Sequence, residues 1–232
     1  MNIPPNARFV LVNDGAGDDV TPDFLAACSA AIDHVLSHSF RDAYGGAFSC
    51  SWAPLGTASI PGDVLVALQA DSSVQGAAGY HDDGGIYCFR DGLPSLDAGS
   101  FAFSVVISHE IFEAAVDPGA NQWADNGHGL EVAKEACDAV EGFCFTPPGS
   151  AIPVSDFVLP SFFDPGGIAP FSHMGNPKAP MTTATDQGAN YQIERKVNEN
   201  GETQVTADLT RHPRAKTKLR AHGRAARRGV KA

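Results

Sequence analysis

The sequence predicts an α+β fold, with a mixed sheet and two principal helices followed by an irregular C-terminal half and a basic, disordered tail. Three observations lead to this prediction. Short apolar segments bounded by Gly, Pro, Asp or Ser recur through the first 90 residues, two stretches have helical character, and residues 121–210 are rich in Gly and Pro. With 232 residues, 43% of them apolar, the chain can bury the core of a single domain over residues 1–210.

The N-terminal region is predicted to begin with a strand and an amphipathic helix. Arg8 to Asn13 is a short, mostly apolar run that ends at an Asp-Gly turn, which is typical of a buried strand. The helix is predicted from Thr21 to about His38, because threonine, proline and aspartate in succession supply an N-cap, a suitable φ and an acid in the first turn. Its apolar residues recur at helical spacing, so one face should lie on the sheet.

Three more strands and a second helix are predicted before residue 120. The strands are Ala47 to Trp52, Val64 to Gln69 and Gly85 to Arg90. The helix runs from about Phe101 to Val116 and ends there because Pro118 disfavours helical backbone at the residue before it. Since this helix is apolar on nearly all sides, we expect it to be central. The rest of the domain is expected to form loops with a few β-hairpins.

The charged residues are unevenly distributed. Nine of the sixteen Lys and Arg lie between Arg211 and Lys231, where no Asp or Glu occurs, whereas residues 1–210 carry seven Lys and Arg and all 27 Asp and Glu. The formal charge is therefore −20 for the domain and +9 for the tail, residues 211–232. The acidic domain would repel nucleic acid, so we expect the tail to make any contact with nucleic acid or an anionic assembly surface.

The sequence also bears on location and redox state. No run of 18 apolar residues predicts a membrane span, and no secretory signal is evident at the N-terminus. We therefore expect a cytoplasmic or virion-associated protein. The five cysteines are an odd number without a C-x-x-C pair, so they are expected to be mostly reduced and buried; Cys137 and Cys144 are the pair that could form a disulfide.

The segment that carries the chemistry is Ser108-His109-Glu110-Ile111-Phe112-Glu113. The chain has eight glutamates, none before Glu110, and five of them lie between residues 110 and 141. On a helix, His109 and Glu113 are four residues apart and project from one face, so both can bind one cation. Glu110 points to the side of this pair and is predicted to take a proton from a metal-bound water, as the glutamate of an H-E-x-x-H helix does.

This arrangement resembles the zincin metallopeptidases, which combine a mixed sheet, an edge strand, such as Gly85 to Arg90 here, and a metal-binding helix. It resembles more closely an uncharacterised family of bacterial and phage genomes, over about residues 60–170. The shared motifs are Gly-Tyr-His-Asp, an H-E-x-x-E helix ending in Asp-Pro, E-x-C-D-x-x-E, and V-S-D-F leading to F-D-P, found here at Gly79–Asp82, His109–Pro118, Glu135–Glu141, Val154–Phe157 and Phe163–Pro165. The resemblance implies a zincin-like fold with an active-site helix.

A third metal ligand is implied by the gluzincin pattern, in which a glutamate follows the helix motif by some twenty residues and an aspartate comes shortly afterwards. Glu135 lies 22 residues after Glu113 and is predicted as the third ligand. Asp138 is predicted either to orient His109 or to substitute as a ligand. Glu141 is a further candidate, and the sequence leaves the three open.

His81 is a second candidate catalytic residue, beside Glu110. If the strand that follows His81 borders the cleft, its side chain could donate a hydrogen bond to a reacting carbonyl. The alternative is a turn histidine, which the surrounding sequence from Tyr80 to Gly85 favours because it is rich in Asp and Gly.

Zinc is the predicted metal, with Mn²⁺, Fe²⁺ or Ca²⁺ as alternatives. Replacing the second histidine of H-E-x-x-H by Glu113 gives a His-Glu-Glu set, whose two negative charges cancel the two positive charges of Zn²⁺. The bound water is then less acidified, so activity would be weak. The oxygen-rich set also suits harder ions better than a set of histidines does.

The leading functional hypothesis is a metal-dependent hydrolase, specifically a peptidase acting on a peptide or protein substrate. In this hypothesis His109, Glu113 and Glu135 hold the metal and Glu110 is the general base. The alternative is a non-catalytic, metal-stabilised structural protein, such as a virion or assembly component, in which no reaction follows. A third hypothesis is a Ca²⁺-stabilised fold that uses oxygen donors from Glu113, Asp117, Asp138 and Glu141.

Overall fold

A computed structural model describes residues 1–72, 74, 76–177, 179–181 and 191–196, and the backbone of 202–206. Its helices are α1 (Pro22–Ser37), α2 (Ser39–Tyr44) and α3 (Phe103–Val116). Its strands are β1 (Arg8–Asn13), β2 (Ser49–Trp52), β3 (Asp63–Gln69), β4 (Gly79–Asp82), β5 (Gly85–Phe89), β6 (Trp123–Asp125), β7 (Leu130–Ala133), β8 (Cys144–Phe145), β9 (Val154–Ser155), β10 (Tyr191–Lys196) and β11 (Glu202–Thr206). The predicted α+β class, with a mixed sheet and two principal helices, is confirmed.

The main sheet has five strands in the order β2-β1-β3-β5-β4. The first four are parallel, and β4 runs antiparallel to β5 at the edge. The prediction of an edge strand at Gly85 to Arg90 is therefore wrong, since β5 lies between β3 and β4. The physical reason is the tight turn at Asp83 and Gly84, which folds β4 back along β5 and places β4 outermost.

Most predicted elements are present within two residues of their predicted bounds. At the start of α1, the amide of Phe24 donates to the Thr21 side chain at 3.2 Å, which confirms the predicted N-cap. The sequence did not predict α2 or β4. Both are short, and β4 lies in a Gly- and Asp-rich stretch whose composition favours a turn.

The main apolar core extends from α1 through the sheet to α3, and two smaller apolar clusters lie among the described residues of the C-terminal half. Its centre contains Phe40, Phe112 and Phe157, whose ring centroids lie 5.2 to 5.6 Å apart. Helix α3 packs against β4, β5 and β9, and eleven of its fourteen residues are buried. The prediction that this helix is central is confirmed, so its polar side chains must find partners inside the protein.

The described part of the C-terminal half contains loops and hairpins, as predicted. Strands β6 and β7 form a hairpin that β10 and β11 extend, and β8 pairs with β9. The loop after β7 contains a 3₁₀ helix, Asp138–Val140, and brings residues 135–141 against α3. This loop completes the site described below.

Three further predictions concern the whole chain. The basic tail, residues 211–232, lies outside the described residues. Within the described part of the chain, no helix combines the length and the apolar composition that crossing a membrane requires. The five cysteines are unbridged, four of them buried and Cys144 half-buried, as predicted for reduced thiols.

Candidate metal centre

Helix α3 supplies His109, Glu110 and Glu113 to one site. Nε2 of His109 lies 3.2 Å from Oε1 of Glu113, as expected for side chains one turn apart. The three residues are 7%, 2% and 1% exposed. Because the helix is covered on nearly every side, these groups face other protein groups rather than bulk water. The carboxylate of Glu110 lies towards β4.

Strand β4 supplies His81, which is fully buried. Its Nδ1 lies 3.3 Å from Oε2 of Glu110, and its Nε2 lies 3.0 Å from the carbonyl oxygen of Asp117. The interpretation as a turn histidine is wrong, because residues 79–82 form a strand whose alternation turns Gly79 and His81 inwards. His81 therefore belongs to the same site as Glu110.

Gly79 makes room for Glu110. A Cβ atom at this position would lie 2.7 Å from Cγ and 2.8 Å from Oε1 of Glu110, closer than side chains tolerate. The glycine of the Gly-Tyr-His-Asp motif is thus required for the Glu110 carboxylate to lie against the backbone of β4.

The loop after β7 closes the site from the other side. Oδ1 of Asp138 lies 3.5 Å from Nε2 of His109, and Oε2 of Glu135 lies 3.7 Å from Nε2 of His81. The amide of Cys137 donates to Oε1 of Glu113 at 3.3 Å. The structure therefore brings together all six predicted site residues. With two neighbours they form what we call the α3 cluster: His81, His109, Glu110, Glu113, Glu135, Cys137, Asp138 and Glu141.

Buried His, Glu and Cys side chains of the α3 cluster could hold a metal ion. Among the described residues, two groups place one donor atom from each of three residues within 4.8 Å of one another. The first is His109, Glu113 and Cys137, and the second is His81, Glu110 and Glu113. Neither group includes Glu135 or Asp138, so the assignment of Glu135 as the third ligand stays a prediction.

Sequence reasoning did not assign Cys137 or Tyr191 to the site. The sequence predicts Cys137 only as a buried thiol or a disulfide partner of Cys144, although its position between Glu135 and Asp138 in the E-x-C-D motif is a usable signal. Tyr191, at the start of β10, is buried, and burial together with the charges of Asp138 and Glu141 raises the pKa of its hydroxyl. No local pattern marks this tyrosine, because it arrives from a distant strand.

The α3 cluster holds excess negative charge away from water. Burial raises the pKa of Glu113 to about 8; the charge of His109 opposes this, and Asp138 and Glu135 reinforce it. Burial opposes protonation of His109, but Glu113 and Asp138 outweigh it and hold the pKa of the imidazole well above its usual value. Burial, with added repulsion from Asp138, also raises the pKa of Glu141. Each shift reduces the net negative charge, which a divalent cation would also do.

The donor chemistry of the cluster fits a divalent transition metal. Imidazole, carboxylate and thiolate are the protein ligands of zinc, whereas Ca²⁺ takes oxygen ligands only. Asp117, one of the four residues of the Ca²⁺ hypothesis, accepts hydrogen bonds from the amides of Asn121 and Gln122 at 3.0 and 2.7 Å. Its carboxylate thus holds the chain in the loop after α3.

A pocket reaches the α3 cluster beside the first half of α3. Its cavity volume is about 20 Å³, which is enough for about one water molecule. Three residues of the α3 cluster line it, and the others lie just before β4 and around the start of α3. The lining residues are Ala78, Ser100, Phe101, Val105, Val106, His109, Glu110 and Glu141. A water molecule or a small ion in this pocket would lie against His109 and Glu110.

Comparison with known proteins places the chain in no family. No protein-family model, curated protein or solved structure matches it. The geometry of the α3 cluster and the motifs of the sequence are therefore the basis for a functional proposal.

Proposed function

We propose that this protein is a metal-dependent hydrolase with a zincin-like fold, and that it cleaves peptide bonds at the α3 cluster. The observation that carries the proposal is the pair of His109 and Glu113, with donor atoms 3.2 Å apart in a buried helix and Glu110 beside them. Burying carboxylates without compensation is costly, and the cluster contains five of them against two imidazoles. A divalent cation would supply the missing positive charge.

His109 and Glu113 would hold the metal. The third donor would come from the loop after β7, where Cys137 joins this pair in a three-donor group and Asp138 approaches His109. Glu135 remains the donor that the resemblance implies. We propose zinc, with Mn²⁺ or Fe²⁺ as alternatives, since the set mixes nitrogen, oxygen and sulfur. When bound, the metal would polarise a substrate carbonyl and make water a stronger acid.

Glu110 would act as the general base. Its carboxylate lines the pocket next to His109 but faces β4, so it lies beside the proposed ligands without being one of them. Close approach to Gly79 fixes its position. His81 would be a positioning residue rather than a donor to substrate, because its Nε2 already donates to the Asp117 carbonyl while its Nδ1 faces Glu110.

The zincin-like assignment is supported by the relation between α3 and the sheet. The resemblance implies a mixed sheet, an edge strand and a metal-binding helix, and α3 packs beside β4, the antiparallel edge strand. The pocket begins at Ala78, immediately before β4. A peptide substrate would therefore enter along this edge of the sheet.

Metal analysis combined with Glu110→Gln tests the proposal. Protein purified without chelators is expected to contain a transition metal and to hydrolyse members of a peptide library. Glu110→Gln should keep the metal but lose at least about 100-fold in turnover, because the amide cannot accept the proton. The control is Glu131→Gln on β7, outside the cluster, which should keep both properties. Protein without bound metal, whose melting temperature does not respond to Zn²⁺ or Mn²⁺, would contradict the proposal.

A second candidate function is a non-catalytic, metal-stabilised structural or assembly protein. The depth of the site favours it, since His81 and Glu113 are at most 1% exposed and closed sites are typical of structural zinc. The basic tail would then contact nucleic acid or an anionic assembly surface. In this case Glu110→Gln would leave function unchanged, and the metal would affect only stability.

A further inference from the structure

Glu113 belongs to both three-donor groups of the α3 cluster, and its two oxygens face different partners. Oε1 lies 3.2 Å from Nε2 of His109 and accepts a hydrogen bond from the amide of Cys137. Oε2 lies 3.9 Å from Nδ1 of His81. A carboxylate used in this way can bridge two cations, which in two-metal sites lie about 3.5 to 4 Å apart.

The orientation of His81 is that of a metal ligand. Its Nε2 donates to the carbonyl oxygen of Asp117 at 3.0 Å, so in the neutral imidazole the lone pair is on Nδ1. Nδ1 faces carboxylate oxygens of Glu110 and Glu113, at 3.3 and 3.9 Å, and without a cation a proton shared between these atoms prevents repulsion of their lone pairs. A cation could take the place of this proton and bind all three side chains. Metal-bound histidines usually donate their other N–H to a carboxylate or a backbone carbonyl, as His81 does.

We propose that the α3 cluster contains a second cation site, formed by His81, Glu110 and Glu113, and that an ion bound there inhibits the proposed hydrolase. The inhibitory part rests on the proposed function. One nitrogen and two oxygen donors suit Zn²⁺ and similar divalent ions. A positive ion bound to Glu110 disfavours protonation of its carboxylate, so Glu110 becomes a weaker general base.

The charges and donors of the cluster favour an order of binding. The first group contains the Cys137 thiol, a soft donor that favours zinc, so the first ion should bind there with His109 and Glu113. The two positive charges of this ion balance the Cys137 thiolate and one of the five buried carboxylates. The second ion balances two more, and it can reach its site through the same pocket, which Glu110 lines.

A zinc titration of the full chain tests this second site. Calorimetry should detect two equivalents of Zn²⁺ per chain, and peptide hydrolysis should reach its maximum at one equivalent and fall at least 10-fold at two. His81→Gln is the diagnostic variant, because the glutamine amide can donate to Asp117 in place of Nε2 but offers no counterpart of Nδ1. It should bind one equivalent and show no fall in rate on further Zn²⁺.

Surface histidines could also bind zinc, so the titration needs a matched control. His34 and His38 lie one turn apart on and after α1, with ring centroids 4.4 Å apart. His34→Ala removes this pair and leaves the cluster intact, so it should still bind two equivalents and still be inhibited by the second. Loss of the second equivalent in His34→Ala would overturn the proposal, as would its retention in His81→Gln.

Crystallography of the unaltered protein keeps the test decisive if His81→Gln does not fold. Crystals soaked in Zn²⁺ should give two anomalous peaks, one on each side of the Glu113 carboxylate. A single peak, or saturation of the unaltered protein at one equivalent, would overturn the second site. If both ions bind as expected but the one-equivalent protein hydrolyses no peptide, the proposed function fails and the second cation site stands.

Discussion

Helices α1 and α3 are of similar length but are stabilised in different ways. α1 begins with a threonine N-cap, a proline and an acid in its first turn, and buries only the face that lies on the sheet. α3 has no side-chain cap and no acid in its first turn, yet it is buried on nearly all sides. Local sequence can therefore specify α1, whereas α3 depends on the elements packed around it.

The buried polar residues of α3 also depend on the elements packed around it. In α3 the hydroxyl of Ser104 donates to the carbonyl of Pro153 at 2.8 Å, and that of Ser108 accepts from the amide of Ser155 at 2.8 Å. His109, Glu110 and Glu113 likewise meet partners from β4 and the loop after β7. These hydrogen bonds and contacts hold α3 in place. They also bring its polar side chains together with those of the neighbouring elements in one cluster.

The largest effect is expected from Phe112→Ala in α3. Phe112 is fully buried against Phe40 and Phe157, so its loss should lower the free energy of unfolding by about 3 to 5 kcal/mol in denaturant titration. The matched change in α1 is Phe24→Ala, at an 8% exposed residue, which should cost less. Equal losses would break the contrast between the helices.

The pH dependence of stability tests a buried carboxyl group next to α3. Asp156 directly follows β9, the strand that packs against α3. Burial raises the pKa of Asp156 to about 6, although Ser172 and two backbone amides donate to it. Between pH 4 and 6 the folded protein keeps a proton that the unfolded chain has lost, so this residue's contribution to stability falls as pH rises. Relative to Asp156→Asn, the unaltered protein should lose up to about 3 kcal/mol across this range. A flat difference between the two unfolding curves would contradict the shift.

Gly79→Ala probes how closely α3 depends on β4. The added Cβ would collide with Glu110, so the free energy of unfolding should fall by about 1 to 3 kcal/mol and peptide hydrolysis should decrease. Gly166→Ala is the control, since its Cβ would meet nothing closer than 3.5 Å at an exposed position. Unchanged stability of Gly79→Ala would mean that Glu110 can move away freely.

The smallest effect is expected from Thr21→Ala at the start of α1. Removing the side chain that accepts from the Phe24 amide should cost about 1 kcal/mol in thermal or denaturant unfolding. Because α1 takes no part in the α3 cluster, the stabilisation produced by added Zn²⁺ should be the same in this variant as in the unaltered protein. A reduced zinc effect would show that the two helices are coupled.

Much of the candidate site could be predicted because its spacing is local. His109 and Glu113 face each other across one helical turn, and that relation follows from the helix alone. His81 was harder to place, since Asp and Gly around it favour a turn and only pairing with β5 makes the segment a strand. The approach of Cys137 and Tyr191 could not be predicted, because it depends on how the C-terminal loops return to α3.

The sequence by itself determined the α+β class, the start of α1, the position of α3 and the pairing of His109 with Glu113 within it. Those features follow from capping, hydrophobic periodicity and the helical repeat, which act over a few residues. Only the tertiary structure decided that β4 is the edge strand, that His81 meets Glu110, and that Glu113 is shared between two groups of donors. These contacts join residues 24 to 36 positions apart, and only packing of the whole core brings them within reach.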